Sequence, residues 1–164
     1  MTKKEYLEAV GLPGRMDLLS SPPAEDDRMA AVMQCGSTIQ HIADPTPEER
    51  MAAVMQSGFA IQFLSDPTPA ERIVAVMENG LSIQHIADPT LVECIAAVLQ
   101  NGYAIKYIIN SIPAERMAAV TQNGLSIQFI PNPTIAECIA AGRQNPDAIR
   151  LIPSWIFDDN KEES

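Results

Sequence analysis

Aromatic side chains are scarce in this sequence: one tryptophan, three tyrosines and four phenylalanines in 164 residues, 5% of the chain. Alanine, isoleucine, valine and methionine must then supply most of the buried surface, which suits thin helical layers better than one deep core built on rings. Long apolar runs are missing as well. Nothing approaches the roughly 20 unbroken apolar residues that a membrane span requires, so no membrane partner is expected. The amino terminus, MTKKEYLEAV, has no apolar run or small-residue cleavage site, and no signal peptide is read there. Bases are few, 11 against 21 acids, for a net charge of −10. Such a surface repels nucleic acid and favours a protein partner with a basic surface. Cysteine is limited to Cys35, Cys94 and Cys138, an odd number with no close pair, which fits a reduced, cytoplasmic setting.

What the chain does have is a unit of twenty-two residues, repeated without insertion. Its clearest copy is PTPEERMAAVMQSGFAIQFLSD, residues 45–66. The same step links Gly36, Gly58, Gly80, Gly102 and Gly124, and Ile39, Ile61, Ile83, Ile105, Ile127 and Ile149. A fixed period in the range of about 20–50 residues marks a solenoid, in which each unit packs on its neighbours. The fold class expected is all-α: a two-layer α-solenoid of six to seven helix-turn-short-helix repeats. Residues 1–22 read as a degenerate amino-terminal capping repeat, residues 23–154 as six repeats, and residues 155–164 as a carboxy-terminal cap, centred on Trp155, Ile156 and Phe157, followed by an acidic tail.

Start and stop signals sit inside each unit. Thr46-Pro47-Glu48-Glu49 offers a threonine cap, a proline for the first helical turn and a glutamate three residues after the cap. The Thr-x-x-Glu spacing recurs at Thr68/Glu71, Thr90/Glu93 and Thr134/Glu137. A helix of about twelve residues is expected to stop at the glycine column, with glycine taking the left-handed conformation common at helix ends. A shorter helix around Ala60–Leu64 should follow and end at Asp66-Pro67. Met51, Val54 and Met55 form the core stripe of the first helix, and Ile61 and Leu64 that of the second. The invariant alanine at Ala53 and its equivalents suggests a point of close approach between units.

Written out, the motif Ala96-Ala97-Val98 followed by Gln100-Asn101-Gly102-Tyr103-Ala104-Ile105 resembles tandem helical repeats of about 22 residues, with an A-A-V-x-Q-N-G-x-A-I pattern, that form a domain family of unknown function. The Asp-Pro-Thr-Pro-Glu-Glu-Arg turn is similar to that of the leucine-rich variant repeat, which alternates an α-helix with a shorter helix. The resemblance implies the architecture and carries no catalytic residue with it.

Chemistry-bearing motifs are absent from the reading. His41 and His85 share a column two units apart, roughly 18–20 Å at helix spacings of 8–10 Å, too far for one metal ion. No nucleophile motif or glycine-rich phosphate loop occurs. Cys94 and Cys138 stand where other units have arginine and are read as filling gaps between helices. The expectation is a noncatalytic protein-interaction module, an adaptor or antagonist, with no cofactor and no metal. Its binding face would be the outward stripe of the short helices: Phe59, Gln62 and Phe63; Gln84 and His85; Tyr103, Lys106 and Tyr107; Gln128 and Phe129. The competing reading of those rings is that they seal the seams between units. An alternative surface is an acidic edge at the turns, with Asp44, Glu48, Glu49, Asp66, Glu71, Asp88 and Glu93, the acids in the first helical turns being solvated. That edge would suit a nucleic-acid mimic blocking a DNA- or RNA-binding protein; an enzyme with a cleft site is the remotest reading.

Overall fold

The computed structural model describes residues 25–157. The expected capping repeat at 1–22 and acidic tail at 158–164 lie outside the described residues, as do the side chains of Glu25 and Asp26. Six ten-residue α-helices alternate with six six-residue 3-10 helices, with no strand among the described residues. The α-helices are α1 (Glu25–Gln34), α2 (Pro47–Gln56), α3 (Pro69–Glu78), α4 (Leu91–Gln100), α5 (Pro113–Gln122) and α6 (Ile135–Gln144). The short ones are η1 (Gly36–His41), η2 (Gly58–Phe63), η3 (Gly80–His85), η4 (Gly102–Tyr107), η5 (Gly124–Phe129) and η6 (Pro146–Leu151). Each α-helix packs on the next α-helix, each short helix on the next short helix, and the two layers on one another. This is the all-α, two-layer solenoid that the 22-residue period predicts.

The local signals work as expected at the helix starts. At Thr46, Thr68, Thr90 and Thr134 the side-chain hydroxyl accepts from the backbone N–H three residues on, while the glutamate there accepts from the cap's own N–H. The core between the layers is one column per position: Val32, Val54, Val76, Val98 and Val120 from the α-helices, and Ile39, Ile61, Ile83, Ile105 and Ile127 from the short ones, all buried. Fully burying each such side chain contributes about 1.5–3 kcal/mol, which these helices require, being too short to persist alone.

Three expectations need correction. Glycine is not the left-handed residue of the unit; that conformation belongs to Asp44, Asp66, Asp88, Asn110 and Asn132, at the turn between units. The glycines are needed for space. A Cβ at Gly102 would lie 2.5 Å from the carbonyl oxygen of Ala119 in the next unit, and the other four glycines of the column meet Ala53, Ala75, Ala97 and Ala141 in the same way. The alanine column is therefore the close approach expected of it, with the preceding unit's glycine as its partner.

The helix stop is likewise different. Asn79, Asn101 and Asn123 have extended backbones, and each caps the following short helix by accepting from the N–H two residues on. Finally, Met55 does not face the short helix. It is 59% exposed and forms an outer stripe on the α-layer with Met33, Met77 and Leu99. Met51, by contrast, packs half-buried against the core, as Ile73 and Met117 do in the same column. At the carboxy-terminal end Ile156 packs on the core, while Trp155 and Phe157 of the expected cap stay largely exposed.

Candidate functional site

Two polar seams tie unit to unit. In the first, an arginine of one α-helix reaches the capping-box glutamate of the next: Arg28 to Glu49 at 2.7 Å, Arg50 to Glu71 at 2.7 Å, Arg72 to Glu93 at 2.8 Å and Arg116 to Glu137 at 2.7 Å. Arg50 is two-pronged, donating from Nε to Oε1 and from Nη2 to Oε2 of Glu71, with further bonds to the carbonyls of Ser65 and Asp66. Hydrogen bonding to Arg50 outweighs burial and holds the Glu71 carboxyl below its ordinary value, while the same contact raises Arg50. In the second seam, Gly36, Gly80, Gly102 and Gly124 donate their N–H to the side-chain oxygen of Gln56, Gln100, Gln122 and Gln144 of the next unit, at 2.5–2.7 Å. Each of these glutamines also donates back to the carbonyl one full repeat before it.

The acidic edge must be redrawn. Glu49, Glu71 and Glu93, expected to be solvated, are buried, Glu49 to 2% exposure, because each carboxylate serves both its own cap and the preceding arginine. Asp44, Glu48, Asp66 and Asp88 remain exposed at the turns.

The short-helix face holds all ten residues singled out from the sequence, in two depths. Gln62, Phe63, Gln84, His85, Lys106 and Gln128 are exposed, Phe63 at 38%. Phe59, Tyr103, Tyr107 and Phe129 are half-buried. The deeper rings bridge units. Phe59 meets His85 edge to face at 5.9 Å between centroids, and Tyr103 meets Phe129 at 5.7 Å. The Lys106 ammonium lies 5.5 Å from the Tyr107 ring centroid and 5.8 Å from that of Phe129. These rings thus do seal seams, while their exposed neighbours form a band along one side of the rod.

One junction departs from the arginine ladder, between α4 and α5. Cys94 stands in the arginine column, so Glu115, 4% exposed, has no ladder arginine. Its carboxylate accepts from the Ile112 N–H at 2.7 Å, and Ile112, in the threonine column, has no hydroxyl to complete the cap. Burial, then the Glu115 charge, pushes the Cys94 thiol up to about 11, so a neutral group stands beside the carboxylate where the other junctions have a cation. A groove of about 770 Å³ opens here, lined by Gln84 and Tyr107 from the short-helix face and by Leu91, Cys94, Ile109 and Glu115 from the turn side.

None of Cys94, Ile109 and Ile112 was singled out as a site residue from the sequence, and Glu115 was read only as one more acid of the edge at the turns. The signal was present as four column breaks falling within twenty-two residues of one another: Leu91 for proline, Cys94 for arginine, Ile109 for a small residue and Ile112 for threonine; Ile135 and Cys138 break the first two columns again, but no other stretch combines all four. Their convergence on one cavity depends on which units are adjacent. Among the described residues no helix is long and apolar enough to cross a membrane. No protein-family model, curated protein or solved structure matches the chain, so the resemblance of its repeat to helical-repeat families stands on the motif alone.

Proposed function

We propose that the chain is a noncatalytic protein-interaction module that binds a partner along its short-helix face. The observation that carries this reading is the division of labour among its polar residues. Arg28, Arg50, Arg72 and Arg116, the capping glutamates they meet, and Gln56, Gln100, Gln122 and Gln144 are consumed in joining units, whereas Gln62, Phe63, Gln84, His85, Lys106 and Gln128 are exposed in register along one side. Amphipathic and aromatic groups repeated at the spacing of stacked units provide area and hydrogen-bonding capacity for an extended partner, with a roughly standard interface of about 800 Å² on this side within reach. A cytoplasmic adaptor or antagonist would use such a surface.

Mimicry of nucleic acid draws less support. The regular series of glutamates that would imitate phosphates is buried, and the acids left at the turns are Asp44, Glu48, Asp66 and Asp88. The test compares two variants in partner capture read by mass spectrometry. Phe63→Ser/Gln84→Ala/Lys106→Ala should lose a protein that the wild type retains at 0.5 M salt, with its helical circular-dichroism signal unchanged. Asp44→Asn/Glu48→Gln/Asp66→Asn/Asp88→Asn keeps residues that tolerate the left-handed turn and should still bind. Binding lost by the second variant and kept by the first, and collapsing with salt, would favour mimicry and overturn the reading.

A further inference from the structure

The regular junctions define how this fold holds a guanidinium. In each, the group meets a buried glutamate and one or two carbonyls 15 and 16 residues beyond the arginine: Asp44 for Arg28, Ser65 and Asp66 for Arg50, Ala87 and Asp88 for Arg72, and Asn132 for Arg116. At the irregular junction the same offsets from Cys94 fall on Ile109 and Asn110, and both line the groove. Asn110 has φ 56°, close to the 46° of Asp66 and Asp88 and the 49° of Asn132, so the turn that aims those carbonyls is retained. Glu115 is retained as well, at the depth of its counterparts. Every acceptor of the arginine site is therefore present, and only the arginine has been replaced.

The rim differs from the other junctions in a consistent direction. Ile109 is 87% exposed in a column that elsewhere holds Ala43, Ser65, Ala87 and Pro131. Leu91 and Ile112, both exposed, stand where α2, α3 and α5 have proline and where four other turns have threonine. A buried carboxylate without a cation is costly, and neither the neutral Cys94 thiol nor the Ile112 N–H supplies one. An apolar rim around an uncompensated acid in a groove of this size fits a ligand with one cationic head and apolar flanks.

We propose that the groove between α4 and α5 is the docking site for an arginine side chain of a partner polypeptide. Its guanidinium takes the place that Arg28, Arg50, Arg72 and Arg116 hold elsewhere, pairing with Glu115 and the carbonyls of Ile109 and Asn110, while apolar residues flanking it cover Leu91, Ile109 and Ile112. Arginine is the side chain specified: its planar fork serves a carboxylate and adjoining carbonyls at once, which the compact ammonium of lysine cannot do in the same geometry. The site rests on reading the chain as a binding module and gives that module the chemistry of one anchor. Because Gln84 and Tyr107 line both, the groove is continuous with the short-helix face.

The experiment titrates the full-length, 15N-labelled chain with three capped tripeptides, Leu-Arg-Leu, Leu-Lys-Leu and Leu-citrulline-Leu. The arginine peptide should shift the amides of Cys94 and of residues 109–115 and bind at least tenfold more tightly than the other two. Citrulline keeps the shape and removes the charge, so its failure isolates the ion pair. Cys94→Arg, which supplies the guanidinium internally, should weaken the peptide at least tenfold while leaving the spectrum of distant units in place; Glu115→Gln, which keeps an acceptor for the Ile112 N–H, should do the same. Equal binding of arginine and citrulline, shifts confined to other junctions, or undiminished binding by Cys94→Arg would each overturn the proposal. Loss of arginine preference with protein capture by the short-helix face intact would sink this site and leave the interaction-module reading standing.

Discussion

The junction between α2 and α3 and the junction between α4 and α5 are built from the same backbone and differ in what fills it. In the first, Arg50 forks onto Glu71 and reaches the carbonyls of Ser65 and Asp66, under a threonine-capped helix start. In the second, Glu115 lies buried beside a thiol, the cap is Ile112, and a groove opens with Ile109 projecting from its rim. The contrast separates two jobs within one repeat. A unit needs the glycine–alanine approach and the core columns to stack at all, and both junctions have them. The arginine–glutamate pair is a further bond between units, and a junction that does without it trades self-sufficiency for an acceptor set open to a partner.

The glycine–alanine approach, being common to both junctions, is where damage should be greatest. Gly80→Val puts a side chain against the Ala97 carbonyl and obstructs the N–H that Gln100 holds at 2.7 Å. The expected loss is about 3 kcal/mol, the upper part of the usual overpacking range, against a few tenths for Gln84→Ala on the exposed face. Denaturant melts check this, and equal stability of the two variants would mean that the units do not meet at that glycine.

Breaking the ladder in the regular junction comes next. Arg50→Ala leaves the buried Glu71 with its cap but no cation, for an expected loss of about 2 kcal/mol, below the full cost for a wholly buried pair because the arginine keeps 18% exposure. Its pH signature has a definite sign. Hydrogen bonding to Arg50 lowers the folded pKa of Glu71 below its ordinary 4.5. The stabilisation is present above that ordinary value and is lost as pH falls through the lower folded one. Stability of the wild type should therefore fall more steeply than that of Arg50→Ala as the pH drops below about 5. Parallel curves would place the carboxylate outside the ladder.

Much of this contrast could be read from the chain. The period, the Thr-x-x-Glu caps and the alanine column each point to one structural role, because helix starts and close approaches are fixed by neighbours a few residues away. Gly58 and Gly80 misled for a physical reason. A glycine after a helix fits both a left-handed stop and a close packing approach, and the choice depends on the Ala75 and Ala97 carbonyls of following units. Glu71 misled in the same way: its first-turn position suggests a solvated acid until Arg50, 21 residues earlier, is brought over it. Phe59 and Tyr103 were legible as members of one face, but their bridging to His85 and Phe129 follows from the stacking distance. Glu115 was legible as an acid at the turns, but its lack of an arginine could be found only by treating the Cys94 break as information, since the residues that make the break meaningful lie in adjacent units.

The claim that both junctions share one arginine site, filled in one and open in the other, is tested most directly by the thermal unfolding of Cys94→Arg in the absence of any ligand. If the acceptors around Glu115 are arranged as they are around Glu71, the introduced arginine should complete the ladder. It should then stabilise the chain by about 1 kcal/mol, raising Tm by roughly 2–4 °C for a protein of this size. An unchanged or lowered Tm would show that the α4–α5 junction no longer accepts a guanidinium, and would contradict the account.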